Sequence, residues 1–148
     1  MMYILQDPMN ISPKSLNGFV GISALTNLFH GFYLEDLVIL DMQHSKVKRV
    51  WKTKKIFNKL KVLNLSNSIY LTTLPDFSQV PQLEILILEG CTNLKDLPNF
   101  LESSHLENLN LEGCTSLIEI HESIGLLKRL VLLNLRGCKN LRNLSTTF

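Results

Sequence analysis

Residues 83–98 read LEILILEGCTNLKDLP, and the same wording returns as LENLNLEGCTSLIEI at 106–120 and LVLLNLRGCKNLRNL at 130–144. Looser copies precede it, LKVLNLSNSIYLTTLP at 60–75 and LVILDMQHSKVKRV at 37–50. The leading residues are Leu37, Leu60, Leu83, Leu106 and Leu130, so the period is 23, 23, 23 and then 24 residues. A fixed period of that size means one structural unit repeated, each unit burying its apolar side against its neighbours.

Within each copy Leu-x-x-Leu-x-Leu alternates as a strand does, with Leu86 and Leu88 inward and Ile85, Ile87 and Glu89 outward. Gly90, Gly113 and Gly137 follow the strand, where the chain must turn without a Cβ clash. His44 and Asn67 hold that place in the first two copies, and Asn tolerates such a turn better than His. Leu94, Leu117 and Leu141, then Leu97, Ile120 and Leu144, fill the next corner of a core. Phe77, Phe100 and Ile124 line up six residues before the next leading Leu. Pro75 and Pro98 keep the return arm from pairing as a regular strand. Arms of about eight residues favour 3₁₀ turns or irregular chain over long helices. The pattern predicts an α/β leucine-rich-repeat solenoid over residues 37–148. It would have about five rungs, parallel strands on the concave face, and an end left open at the C-terminal rung. Residues 1–36 show no repeat and read as an irregular lead-in or lid, punctuated by Pro8, Pro13, Gly18 and Gly21.

The chain has 148 residues, 45% apolar and 19% charged, which is globular rather than disordered. Its charge is distributed in blocks. Eight bases and no acid lie between Lys46 and Lys61, nine acids and Lys95 alone among Lys and Arg between Asp76 and Glu122, and only bases after that. The basic block, with Trp51 inside it, reads first as a solvated arm. Docking on an acidic domain surface or on phosphate groups are the functional alternatives, and nucleic acid is the least favoured. The first residues lack the basic start and apolar run of a secretory leader, and no apolar run approaches a membrane span. Cys91, Cys114 and Cys138 share one repeat position, so they predict a stacked column of buried thiols rather than a disulfide scaffold. That usage fits a reducing cytosol or nucleus. Their 23–24-residue spacing lacks the short pairs of a zinc site, and a core thiol does not face His105 or His121 on the outer arms. Neither catalysis, nor a metal, nor a cofactor is expected.

The candidate site is the outward face of the strands, in three columns. Ile39, Val62, Ile85, Asn108 and Leu132 form the first; Asp41, Asn64, Ile87, Asn110 and Asn134 the second; Gln43, Ser66, Glu89, Glu112 and Arg136 the third. An apolar column beside polar ones suits contact with a protein surface. Packing under neighbouring loops, or plain solvation, would give the same letters. If the register is right, Leu86→Asp or Leu109→Asp unfolds the chain, whereas Asn110→Asp barely changes stability.

The wording of the rungs resembles the leucine-rich-repeat region of plant intracellular immune receptors that carry a TIR domain and a nucleotide-binding domain. LILEGCTNL at 86–94, DFSQVPQLE at 76–84 and SIGLLKRLVLLNLRGCKNL at 123–141 carry the resemblance, and LVILDMQHSKVKRVWK at 37–52 resembles a repeat near the start of such solenoids. What the resemblance implies is recognition. The solenoid holds the receptor inactive and senses a pathogen effector or a modified host protein, or packs on the receptor's own nucleotide-binding domain. No Gly-x-x-x-x-Gly-Lys-[Ser/Thr] occurs, so nucleotide exchange and NAD cleavage are not carried over. The alternative is a substrate-recognition solenoid of a ubiquitin ligase, although no adaptor-binding helical motif is visible in residues 1–36.

Overall fold

The computed structural model describes residues 37–50 and 56–142. The expected lead-in over 1–36, Trp51 with the lysines beside it, and Leu144 lie outside the described residues. Each copy of the repeat contributes one three-residue strand: β1 (Ile39–Asp41), β2 (Val62–Asn64), β3 (Ile85–Ile87), β4 (Asn108–Asn110) and β5 (Leu132–Asn134). They pair in chain order as one parallel sheet, and the register links Leu40, Leu63, Leu86, Leu109 and Leu133 across all five. The solenoid expected from the period is therefore what forms. No α-helix appears among the described residues; the only helical pieces are 3₁₀ turns, η1 (Phe77–Gln79) and η2 (Glu122–Leu126).

The strands are short because only the leading segment of each coil can pair, and each coil must then bend away. The amides of Glu84 and Ile85 both donate to Lys61 O (2.8 and 2.9 Å), while Leu88 N–H and Gly90 N–H reach forward to Asn110 O and Glu112 O (2.8 and 2.7 Å). This set recurs from coil to coil, so most backbone pairing is between coils rather than within them. A second, thinner seam follows the first corner, where Thr72 N–H donates to Lys48 O, Ile118 N–H to Lys95 O and Arg142 N–H to Ile118 O. At the end of each strand the chain passes through the left-handed region at His44 (φ 56°), Asn67 (58°), Gly90 (71°), Gly113 (71°) and Gly137 (75°). The sequence expectation of a turn there holds, and His44 is the residue least suited to it.

The core is made of stacked columns. Leu86, Leu88, Leu94, Leu109, Leu111 and Leu117 are fully buried, as are Cys91 and Cys114. Each such leucine contributes roughly 1.5–3 kcal/mol through removal from water. On the return arms Phe77 and Phe100 stack with ring centroids 5.2 Å apart and an interplanar angle of 25°. Leu133, Leu135, Cys138 and Leu141 of the fifth coil are only partly buried.

Candidate binding face

The thiols, not the open face, show most directly how one coil holds the next. Cys91 Sγ donates to Leu65 O (3.2 Å), Cys114 Sγ to Leu88 O (3.2 Å) and Cys138 Sγ to Leu111 O (3.1 Å). Ser68 extends the column backwards, its hydroxyl donating to Met42 O (3.3 Å) and accepting from Ser45 N–H (3.1 Å). The Leu65, Leu88 and Leu111 carbonyls also accept the N–H of Ser68, Cys91 and Cys114 in their own coil, so each thiol adds a second donor from the next coil to an acceptor with two lone pairs. Burial pushes the Cys91 thiol up to about 11 and the Cys114 thiol to about 12 from an ordinary 9.0, and burial raises Cys138 as well. At neutral pH these groups stay protonated and are poor nucleophiles.

The fifteen candidate residues stand in the columns that the period implies. Ile39, Val62, Ile85, Asn108 and Leu132 are in register across the sheet, as are Asp41, Asn64, Ile87, Asn110 and Asn134. The first column is half-buried except at Leu132, which is 47% exposed. Gln43, Ser66, Glu89, Glu112 and Arg136 sit two residues past the strand-end positions of the second column; Glu89 and Arg136 are exposed, whereas Ser66 is buried.

A second function of the polar column went unread in the sequence. Asp41 and Asn64 accept from the amides of Gln43 (3.3 Å) and Ser66 (3.1 Å), and Asn110 and Asn134 from those of Glu112 and Arg136 (3.1 Å each). These are Asx turns, which set the bend at the strand end. The amide nitrogens then reach back one coil: Asn64 to Asp41 (3.5 Å), Asn110 to Glu89 (3.4 Å) and Asn134 to Glu112 (3.1 Å). An Asn or Asp two residues before the turn in four of the five coils was the available signal. The column therefore has a structural role whatever else touches it, and Ile87 is the one member that cannot share it.

Ion pairs edge the sheet. Lys61 Nζ meets Glu84 at 2.8 Å, Arg129 pairs with Glu107, and Arg136 Nε lies 3.9 Å from Glu112. All are solvent-accessible and contribute at most about 1 kcal/mol each. Lys46, Lys48, Arg49 and Lys59 of the basic block are exposed. No helix among the described residues is long and apolar enough to cross a membrane.

No protein-family model matches the chain. Among curated proteins, it is 43% identical over 54 residues to Disease resistance protein RML1A of Arabidopsis thaliana, covering 36% of this chain and 5% of that protein. It is 42% identical over 82 residues to Probable disease resistance protein RPP1 of the same plant, covering 54% of this chain and 7% of that one. The chain is related to plant disease resistance proteins. The matched segments span less than a tenth of either disease resistance protein. With the repeat solenoid, they bear out the resemblance read from the rungs.

Proposed function

We propose that the open face of the sheet is the recognition surface of a resistance-receptor-type solenoid, which senses a pathogen effector or a modified host protein in the cytosol or nucleus of a plant cell. The observation that carries this reading is the kinship with disease resistance proteins. The geometry supports it: side chains of three adjoining columns stand on one face, apolar at one margin (Ile85, Leu132) and charged at the other (Glu89, Glu112, Arg136). An apolar margin beside polar and charged columns offers both kinds of contact that a protein surface makes. The face could equally meet the receptor's own nucleotide-binding domain, and one experiment separates these partners. Full-length chain, its Glu89→Arg/Asn108→Arg variant and a far-side Glu102→Arg/Lys128→Glu variant are used to capture proteins from infected and healthy leaf extracts. Loss of an infection-dependent partner from the first variant alone supports effector sensing. Equal capture by all three removes the open face as the recognition surface.

A further inference from the structure

Three coils bend at the corner between the Leu97-type column and the Phe100-type column, and each closes that corner with a side chain that accepts from the backbone two residues on. Asp76 Oδ1 accepts from Ser78 N–H (2.9 Å), Asn99 Oδ1 from Leu101 N–H (3.2 Å) and His121 Nδ1 from Ser123 N–H (3.1 Å). A carboxylate or amide oxygen accepts across the neutral and mildly acidic range. An imidazole nitrogen accepts only while it carries no proton.

At His121 more depends on that nitrogen than one amide. The Ser123 hydroxyl, on a residue only 2% exposed, lies 2.8 Å from the same Nδ1 and accepts from Phe100 N–H of the preceding coil at 2.8 Å. A backbone N–H can only donate, so Nδ1 is the acceptor and the ring proton sits on Nε2. The hydroxyl hydrogen then turns to Nδ1 as well. His105 is a contrast: its Nδ1 lies 3.2 Å from Pro81 O, which can only accept, and 3.2 Å from Ser104 Oγ, which can accept as well as donate. Both neighbours of that nitrogen can therefore receive a proton from the charged ring.

We propose that His121 is an acid-sensitive latch between the third and fourth coils. Protonation turns Nδ1 from acceptor to donor, which leaves the buried Ser123 amide and hydroxyl hydrogens without a partner. The strain passes through Ser123 Oγ to Phe100, whose ring is stacked on Phe77. Charged groups on the return arms that meet here are Lys95, Asp96 and Glu102 on the third coil, Glu119, Glu122, Lys128 and Arg129 on the fourth and Arg142 on the fifth, all exposed. None of the ion pairs among the described residues includes His121. Hydrogen-bond geometry, not charge pairing, holds the ring.

The test is amide hydrogen exchange followed by NMR on the full chain at pH about 7.5 and about 5, the range in which histidine gains its second proton. Gly90 N–H, paired with Glu112 O in the same sheet, serves as reference. Protection of the Phe100 and Ser123 amides should fall roughly ten-fold relative to Gly90 on acidification, as for the loss of a buried hydrogen bond. In His121→Asn, which accepts as Asn99 does, it should not change. The imidazole nitrogen shifts of the wild type at neutral pH should report the Nε2–H form. An Nδ1–H ring at neutral pH, or parallel behaviour of wild type and His121→Asn, overturns the latch. The ring measurement needs no variant, so it decides even if the variant folds poorly.

Discussion

The fourth and fifth coils are built from nearly the same letters and do not have the same interior. Leu109, Leu111, Cys114 and Leu117 are fully buried, whereas Leu133, Leu135, Cys138 and Leu141 at the matching places are only partly buried. Local geometry does not distinguish them. Both glycine turns are left-handed (φ 71° and 75°), and both thiols reach the carbonyl behind them at 3.2 and 3.1 Å. The fifth coil thus keeps the shape of the fourth without its burial, and among the described residues it pairs with one coil where the fourth pairs with two. In such a stack stability accumulates by contacts between successive units, so the cost of a change depends on how many faces of its coil are covered.

The comparison is sharpened most by a charge placed in each coil. Leu109→Asp should cost several kcal/mol, a large share of a small domain's stability, and abolish cooperative urea unfolding. Leu133→Asp should leave a cooperative transition shifted by about 1 kcal/mol, because its carboxylate can stay hydrated. Equal midpoints would break the nearest-neighbour account. A second contrast concerns the turns. Gly90→Ala should destabilise by about 1–2 kcal/mol, since an added Cβ at φ 71° would also strike the Asn67 side chain. His44→Gly should stabilise by up to about 1 kcal/mol at the same turn of the first coil, read from thermal melts.

The thiols give a pH test. Below the ordinary value of 9.0 both folded and unfolded chains hold the thiol protons, so the stabilisation is fully present. Above it the unfolded chain ionises first, and stability is lost as pH rises towards about 11 for Cys91 and about 12 for Cys114. The urea midpoint should therefore fall between pH about 8 and about 10.5. Cys91→Ser/Cys114→Ser, which keeps a donor in the column, should flatten that fall. Smallest is a gain. Ser103, three residues before the leading Leu106, occupies the position of Val80 and Leu127, and its buried hydroxyl has no partner. Ser103→Ala should raise the melting temperature, by the equivalent of about 1 kcal/mol.

The period and the Leu columns made the sheet, its register, the inward thiols and the 3₁₀ arms legible before any coordinates, because stacking forces residues one period apart onto the same line. Less legible were features that depend on two coils at once. Asn110 reads as a surface residue in isolation; only the stack shows its oxygen closing the turn at Glu112 and its nitrogen held by Glu89. Asn110→Asp keeps the first contact and sets a second carboxylate beside Glu89, so its cost should be measurable rather than nil. Ser68 continues the thiol column without sharing its letter, and hydroxyl for thiol is a donor equivalence that periodicity of spelling does not reveal. Whether the open columns contact a partner is set by chemistry outside the chain, which no internal period encodes.

The lengthened fourth coil has a practical reading for anyone grafting or resizing these units. Leu97 and Phe100 are three residues apart, whereas Ile120 and Ile124 are four apart, so the added residue enters at the His121 corner and not in the strand. There it widens a three-residue 3₁₀ turn into one of five residues, while β4 and β5 keep their pairing. The outer arm thus works as an expansion joint. Length can be inserted on that side without displacing any side chain along the sheet, and the open face can vary independently of it.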